Sequence, residues 1–114
     1  IATLFLESEE KIELAKEAFN NKVYSNAIYF AYSSMVNSAK AILLSENSTT
    51  NTQAGIINQF DTDFVQTNKI KLETSFSKLI YQIKENAPTE AFAKAYISNA
   101  ETFLAIVKSY RNRE

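Results

Sequence analysis

Between Ala2 and Asn20, Phe5, Ile12, Ala15 and Phe19 recur at helical spacing, and Glu7, Glu9, Glu10, Lys11, Glu13, Lys16 and Glu17 fill the positions between them. That pattern predicts an amphipathic helix with a charged outer face. Pairs such as Glu7 with Lys11 and Glu13 with Lys16 sit at pairing distance on such a helix and act as surface stabilisers. Asn20, Asn21 and Lys22 form the predicted stop, because Asn tolerates the left-handed backbone that ends a helix where Gly is missing. A second helix is predicted from Tyr24 to Glu46 with Ser25 as its cap. Its stripe of Tyr24, Ile28, Ala31, Met35, Ser38 and Ile42, bordered by Ala27, Ser34 and Ala41, is rich in small residues. Small side chains let a neighbouring helix approach closely, so this reads as the central helix of a bundle.

Residues 47 to 53, NSTTNTQ, have loop composition. A shorter third helix is predicted over Gln53 to Val65, with Thr52 as cap and Ile56, Ile57, Phe60 and Phe64 turned inward. Gly55 near its start suggests the close approach of another helix. A fourth helix, from Lys71 to Asn86, uses Leu72, Phe76, Leu79, Ile80 and Ile83. Pro88 then breaks the chain. Thr89 or a neighbour is expected to cap the last helix, and Glu90 sits at the positive end of its dipole. Phe92, Tyr96, Asn99, Phe103, Ile106 and Tyr110 repeat over almost five turns, with Asn99 either a buried hydrogen-bond node or, as the favoured reading, at the edge of the stripe. These elements predict an all-α fold class, an antiparallel up-and-down bundle of four to five helices in a single domain spanning residues 1–114.

Composition sharpens this picture mainly by exclusion. One Gly and one Pro in 114 residues leave little material for strands and their turns. Lys and Arg number 12 against 13 Asp and Glu, a net charge of -1, which gives no electrostatic footprint for duplex nucleic acid or an anionic membrane. The 18-residue run AIYFAYSSMVNSAKAILL is interrupted by Asn37 and Lys40 and is short for a membrane span. There is no Cys, which excludes disulfides and thiolate chemistry and is compatible with a cytoplasmic location. There is no His either, so Ser-His-Asp and Cys-His sites, the usual zinc sites and an imidazole acid or base are all excluded. No cofactor or metal is expected. The first residue is Ile rather than Met, so the chain is expected to be a fragment of a longer one.

The segments AKEAFNNKVYSNAIYFAYSSMVNSAKAILLSE, NTQAGIINQFDTDFVQT and PTEAFAKAYISNAETFLAIVKSY together resemble the HEPN superfamily of small helical bundles. The matching features are Ala15-Lys16, Tyr24, Ala31-Tyr32, the run from Ala39 to Leu44, and Gly55-Ile56-Ile57 followed by Phe60 and Phe64. Many HEPN proteins are metal-independent ribonucleases with an Arg followed several residues later by His. This chain has no His, its only arginines are Arg111 and Arg113, and Gln53 stands about where relatives often carry a His before the Gly. The resemblance therefore does not carry nuclease catalysis here, because the residue for proton transfer is missing. Other members act as partners of nucleotidyltransferases, as nucleotide-binding modules or as accessory domains. The NTQAGII and FDTDFV segments are also similar to the tails of bacterial sulfite or nitrite reductase-like proteins. Such a tail could not itself hold a sirohaem or iron-sulfur group without cysteines.

Two candidate sites arise from the residues. Asp61-Thr62-Asp63 offers two carboxylates, but residues two apart on a helix diverge by about 200 degrees, so a solvated turn or helix face is the favoured reading over a magnesium pair. Tyr29, Tyr32, Asn37 and Lys40, with Ser33 nearby, could instead form a pocket in which a base stacks on a ring and Lys40 meets phosphate. The competing reading has those rings covering a core or a protein seam. The leading expectation is a non-enzymatic interaction or accessory module, binding a protein partner or a domain of its parent chain, with a homodimer among the arrangements considered. The alternative is a nucleotide or small-ligand domain that uses Tyr29, Tyr32, Asn37 and Lys40.

Overall fold

A computed structural model describes residues 2 to 112; Ile1, Arg113 and Glu114 lie outside the described residues. Helix α1 runs over Ala2–Asn20, α2 over Tyr24–Ser45, α3 over Gln53–Phe60, α4 over Phe76–Glu85 and α5 over Glu90–Asn112. Between α3 and α4 the chain makes a π-helical turn, Asp61–Val65. The described residues contain no strand, so the fold is the all-α bundle the periodicity predicts. No helix among them is long and apolar enough to cross a membrane.

The α1–α2 hairpin is the largest packing unit, α5 lies against both of its helices, and α3 and α4 cover the remaining side of α2. Close approach at the hairpin is a property of small residues: Ala15, Ala27, Ala31, Ser34, Ser38 and Ala41 are all completely buried. The buried serines need partners, and helix carbonyls supply them. Ser8 Oγ donates to the Leu4 carbonyl at 2.9 Å, Ser38 Oγ to the Ser34 carbonyl at 2.8 Å, and Ser34 Oγ crosses to the Ser8 carbonyl at 2.9 Å. The serines of α2 that face α1 are thus seam residues rather than site residues.

The same core continues into the other elements through aromatic rings. Phe76 of α4 stacks on Phe103 of α5 with centroids 4.6 Å apart, and Phe60 of α3 meets them at 4.8 Å and 5.2 Å. Phe64, in the π-turn, continues the cluster to Phe60 at 5.2 Å and to Tyr110 at 5.5 Å. Rings at these separations gain about 0.5–1.5 kcal/mol per pair beyond their area burial.

Several local expectations are corrected. Ser25 does not cap α2; Val23 holds the N-cap position, no side chain caps that end, and Ser25 lies inside the first turn. At the end of α1 the left-handed residue is Lys22, with φ 62°, rather than either asparagine. Lys11 does not pair with Glu7: its ammonium sits 5.5 Å from the centroid of the Phe30 ring. The expected Glu13 and Lys16 contact is present but long, at 3.9 Å, because Lys16 reaches across to Glu101 of α5 at 2.9 Å. Gly55 is not approached by another helix. A Cβ there would collide with Thr50 Cγ2 and lie 2.8 Å from Thr52 Oγ1, so its own entry loop is the constraint. Thr52 and Thr89 cap as predicted, accepting from Gly55 N at 3.0 Å and Phe92 N at 3.1 Å. Asn99 is half-buried, at the edge of its stripe.

The largest correction concerns Asp61 and the start of α4. The helix begins at Phe76, five residues after the predicted Lys71, because Ser75 is its cap and accepts from Lys78 N at 3.1 Å. Asp61 is not solvated but only 8 % exposed. Its carboxylate accepts from Phe76 N at 2.6 Å and Ser77 N at 2.9 Å, the two remaining free donors of the first turn. A negative group on orphan N–H donors at the positive end of a helix is favoured by both hydrogen bonding and the dipole. Asp63 turns elsewhere and accepts from Gln59 Nε2 at 2.7 Å, so the two carboxylates do not converge. Among the described residues no group of three or more Asp, Glu, His or Cys could hold a metal ion.

Candidate binding face

Most of α2 is covered, and its open surface is a strip containing Asn26, Tyr29 and Leu44, with Ser33, Asn37 and Lys40 half-buried in it. Tyr29 is 56 % exposed. Three residues on, at the edge of the strip that faces α3 and α4, Tyr32 stacks against it with centroids 6.2 Å apart and planes at 27°. The Tyr32 hydroxyl donates to Gln53 Oε1 at 2.8 Å. Gln53 is available there because Thr52 caps α3 and fixes Gln53 as its first residue. On the α4 side, Lys84 Nζ lies 4.6 Å from the centroid of the Tyr81 ring, close enough for a cation–π contact.

The titration behaviour of the phenols reflects this crowding. Tyr32 is pushed above its ordinary value, first by burial and then by neighbouring Tyr81 and Tyr29. Tyr96, beneath the face, is pushed further in the same direction by burial, with a smaller contribution from Tyr32. Its hydroxyl donates to the Ile80 carbonyl at 2.7 Å and ties α5 to α4. Both phenols are therefore hydrogen-bond donors at neutral pH. The face can stack an aromatic ring, donate and accept hydrogen bonds, and present the Lys84 ammonium group.

Of the four predicted residues, Tyr29 and Tyr32 are brought together. Asn37 and Lys40 share the strip but lie farther along it. At 1.5 Å per residue, Lys40 is about 12 Å beyond Tyr32 along the axis. Neither forms a side-chain hydrogen bond or ion pair among the described residues. The polar positions of α2 thus make an elongated strip, whereas the cluster around Tyr32 is built across three helices. Gln53, Tyr81 and Lys84 were not among the predicted residues. Gln53 carried a signal, its place before Gly55, but nothing in the spacing of Tyr81 and Lys84 marks them as neighbours of α2.

The family comparison agrees with this architecture. Putative toxin MJ0605 of Methanocaldococcus jannaschii is 34 % identical over 110 residues, covering 89 % of this chain and 81 % of that protein. Putative toxin MJ0142 of the same archaeon is 24 % identical over 102 residues, covering 89 % of this chain and 69 % of that protein. The HEPN domain family matches residues 1–110, and the chain belongs to that family.

Proposed function

We propose that this HEPN domain acts by binding a protein partner through the tyrosine face of α2 and α4, and that it performs no chemistry of its own. The observation that carries this reading is the Tyr32 and Gln53 contact. Gln53, which stands about where the relatives in that resemblance often carry a His before the Gly, accepts a hydrogen bond from the Tyr32 phenol, whose pKa burial raises. An amide does not titrate in water, and a phenol with a raised pKa is a poor base at neutral pH, so the pair orients groups without moving protons. Apolar rings with polar tips suit an interface that must remain wet when free and bury area when bound.

The word toxin in the names of both relatives fits this reading if inhibition comes from occupying a partner. The test is incubation of the purified domain with single-stranded homopolymer RNAs and transfer RNA. The expected result is no cleavage above a Tyr32→Phe, Gln53→Ala control; cleavage that disappears in that control would overturn the proposal. A second reading is favoured by the Tyr29–Tyr32 stack and the lysine beside Tyr81: a nucleotide base stacked on the face with its phosphate near an ammonium group. Titration with ATP and GTP, using Tyr32→Ala, Lys84→Ala and Lys40→Ala as controls, decides it. The absence of saturable binding at millimolar concentration removes it.

A further inference from the structure

A concavity lies between α5 and the connection from the π-turn to α4. One hollow of about 710 Å³ is lined by Lys69, Ile70, Thr102, Ala105, Ser109 and Tyr110 among others. A second, of about 410 Å³, includes Leu72, Glu73, Leu79 and Asn99 in its walls. Lys71, Thr102 and Ile106 line both, so the two form one groove. Its cause is local. α4 touches α5 through Phe76 on Phe103 and the Tyr96 hydroxyl on the Ile80 carbonyl, rather than by close backbone approach. Thr102, Ala105 and Ser109 are too small to fill the space left. The outer wall is anchored: Asn68 turns the chain with φ 61°, Ile70 is buried, and Ile70 N donates to the Phe64 carbonyl at 2.9 Å.

We propose that this groove receives an amphipathic helix from a protein partner, with an acidic residue of that helix over Lys71 and a basic one near Glu73. From Asn99 to Tyr110 the floor extends about 16 Å along α5, about three helical turns. The described residues offer no sheet edge to an extended peptide, and a floor of about three helical turns matches a helix laid in a groove. Charge then sets the register. Lys69 is engaged by Glu46 at 3.6 Å and by the Phe64 ring at 5.9 Å, whereas neither Lys71 nor Glu73 has an ion-pair partner among the described residues. An acid and a base about one turn apart on the incoming helix complement both, and a helix docked in reverse would set like charges against each other.

The proposal rests on the binding-module reading, and the two fail separately because peptide selection does not detect RNA cleavage. The experiment is selection of a displayed library of 14-residue helical peptides against the intact domain, followed by amide chemical-shift mapping. Enriched peptides are expected to carry an acid and a base about one turn apart and to shift Thr102, Ala105, Ile106 and Ser109. Their binding should weaken at least tenfold with Lys71→Glu and with the groove-filling Thr102→Trp, and should recover on Lys71→Glu when the peptide acid is changed to Lys. The proposal is overturned if no peptide is enriched, if the enriched peptides map to another face, or if they bind Lys71→Glu unchanged. It is also overturned if groove resonances shift with dilution of the protein alone, which would make a second copy the occupant.

Discussion

Replacing Asp61 with Ala removes the acceptor of two backbone hydrogen bonds at the start of α4, one to the buried Phe76 N at 2.6 Å and one to Ser77 N at 2.9 Å. Hydrogen bonds to a charged group contribute about 1.5–3 kcal/mol each. The Ser77 amide is only partly buried and recovers some of its bond from water, which favours the low end of that range. Loss of a negative charge at the positive end of the helix adds about 0.3–1 kcal/mol. The expected cost is therefore about 3–4 kcal/mol, a large fraction of the stability of a domain this size. Ser75→Ala serves as the internal comparison: it removes one neutral cap bond, to the exposed Lys78 N, and should cost about 1 kcal/mol. Asp61→Asn keeps an acceptor oxygen and should fall between the two. Urea unfolding followed by circular dichroism at 222 nm measures all three, with the denaturant slope checked for constancy. If Asp61→Ala costs less than about 0.5 kcal/mol, or no more than Ser75→Ala, the carboxylate does not hold α4 in place and the reasoning is wrong.

Two further outcomes are expected from the geometry. Gly55→Ala, which in an open helix position would stabilise by up to about 1 kcal/mol, should lower the melting temperature, because the new methyl meets Thr50 Cγ2 and the capping Thr52 hydroxyl; the Thr50→Gly background should recover most of the loss. Stability should also fall as pH rises above the ordinary tyrosine value of 10.0, since the unfolded chain ionises there while Tyr96 in the fold, its pKa raised by burial, keeps its proton. Tyr96→Phe, measured by urea unfolding at pH 7 to 11, should lose about 1 kcal/mol at neutral pH and show a shallower alkaline decline.

The parts of this fold legible in the sequence are those set by long periodic stripes and by short-range caps. α1, α2 and α5 could be placed because each repeats its apolar positions over several turns, and Thr52 and Thr89 could be read as caps because they directly precede such repeats. The start of α4 was harder to read because Leu72 has the right spacing for the α4 stripe yet packs from the connection, while the true signal was Ser75 directly before Phe76. Asp61 illustrates a deeper limit. Its partners are backbone amides fifteen and sixteen residues away, and no local pattern announces that a carboxylate beside Thr62 and Asp63 will be buried. The candidate face divides in the same way: Tyr29 and Tyr32 share one helix and were found by spacing, whereas Gln53, Tyr81 and Lys84 come from helices whose mutual placement is decided by the core.

The π-helical turn has a consequence for how the chain length of this domain can vary. Gln66 N bonds to the Asp61 carbonyl at 2.8 Å, across five residues rather than four, so the turn holds one residue more than an α-helix would. Deleting a residue there would let the helix regularise, and with one residue fewer between them Asp61 and Phe64 could not keep their present directions, one toward α4 and the other into the aromatic core. In the polar loop at residues 47–52, Thr50 and Thr52 are tied to the start of α3, but an insertion ahead of Thr50 can be absorbed at small cost. Homologues of different length should therefore place their gaps in that loop, and a one-residue gap within Asp61–Val65 would mark a branch in which α4 is anchored by some other means.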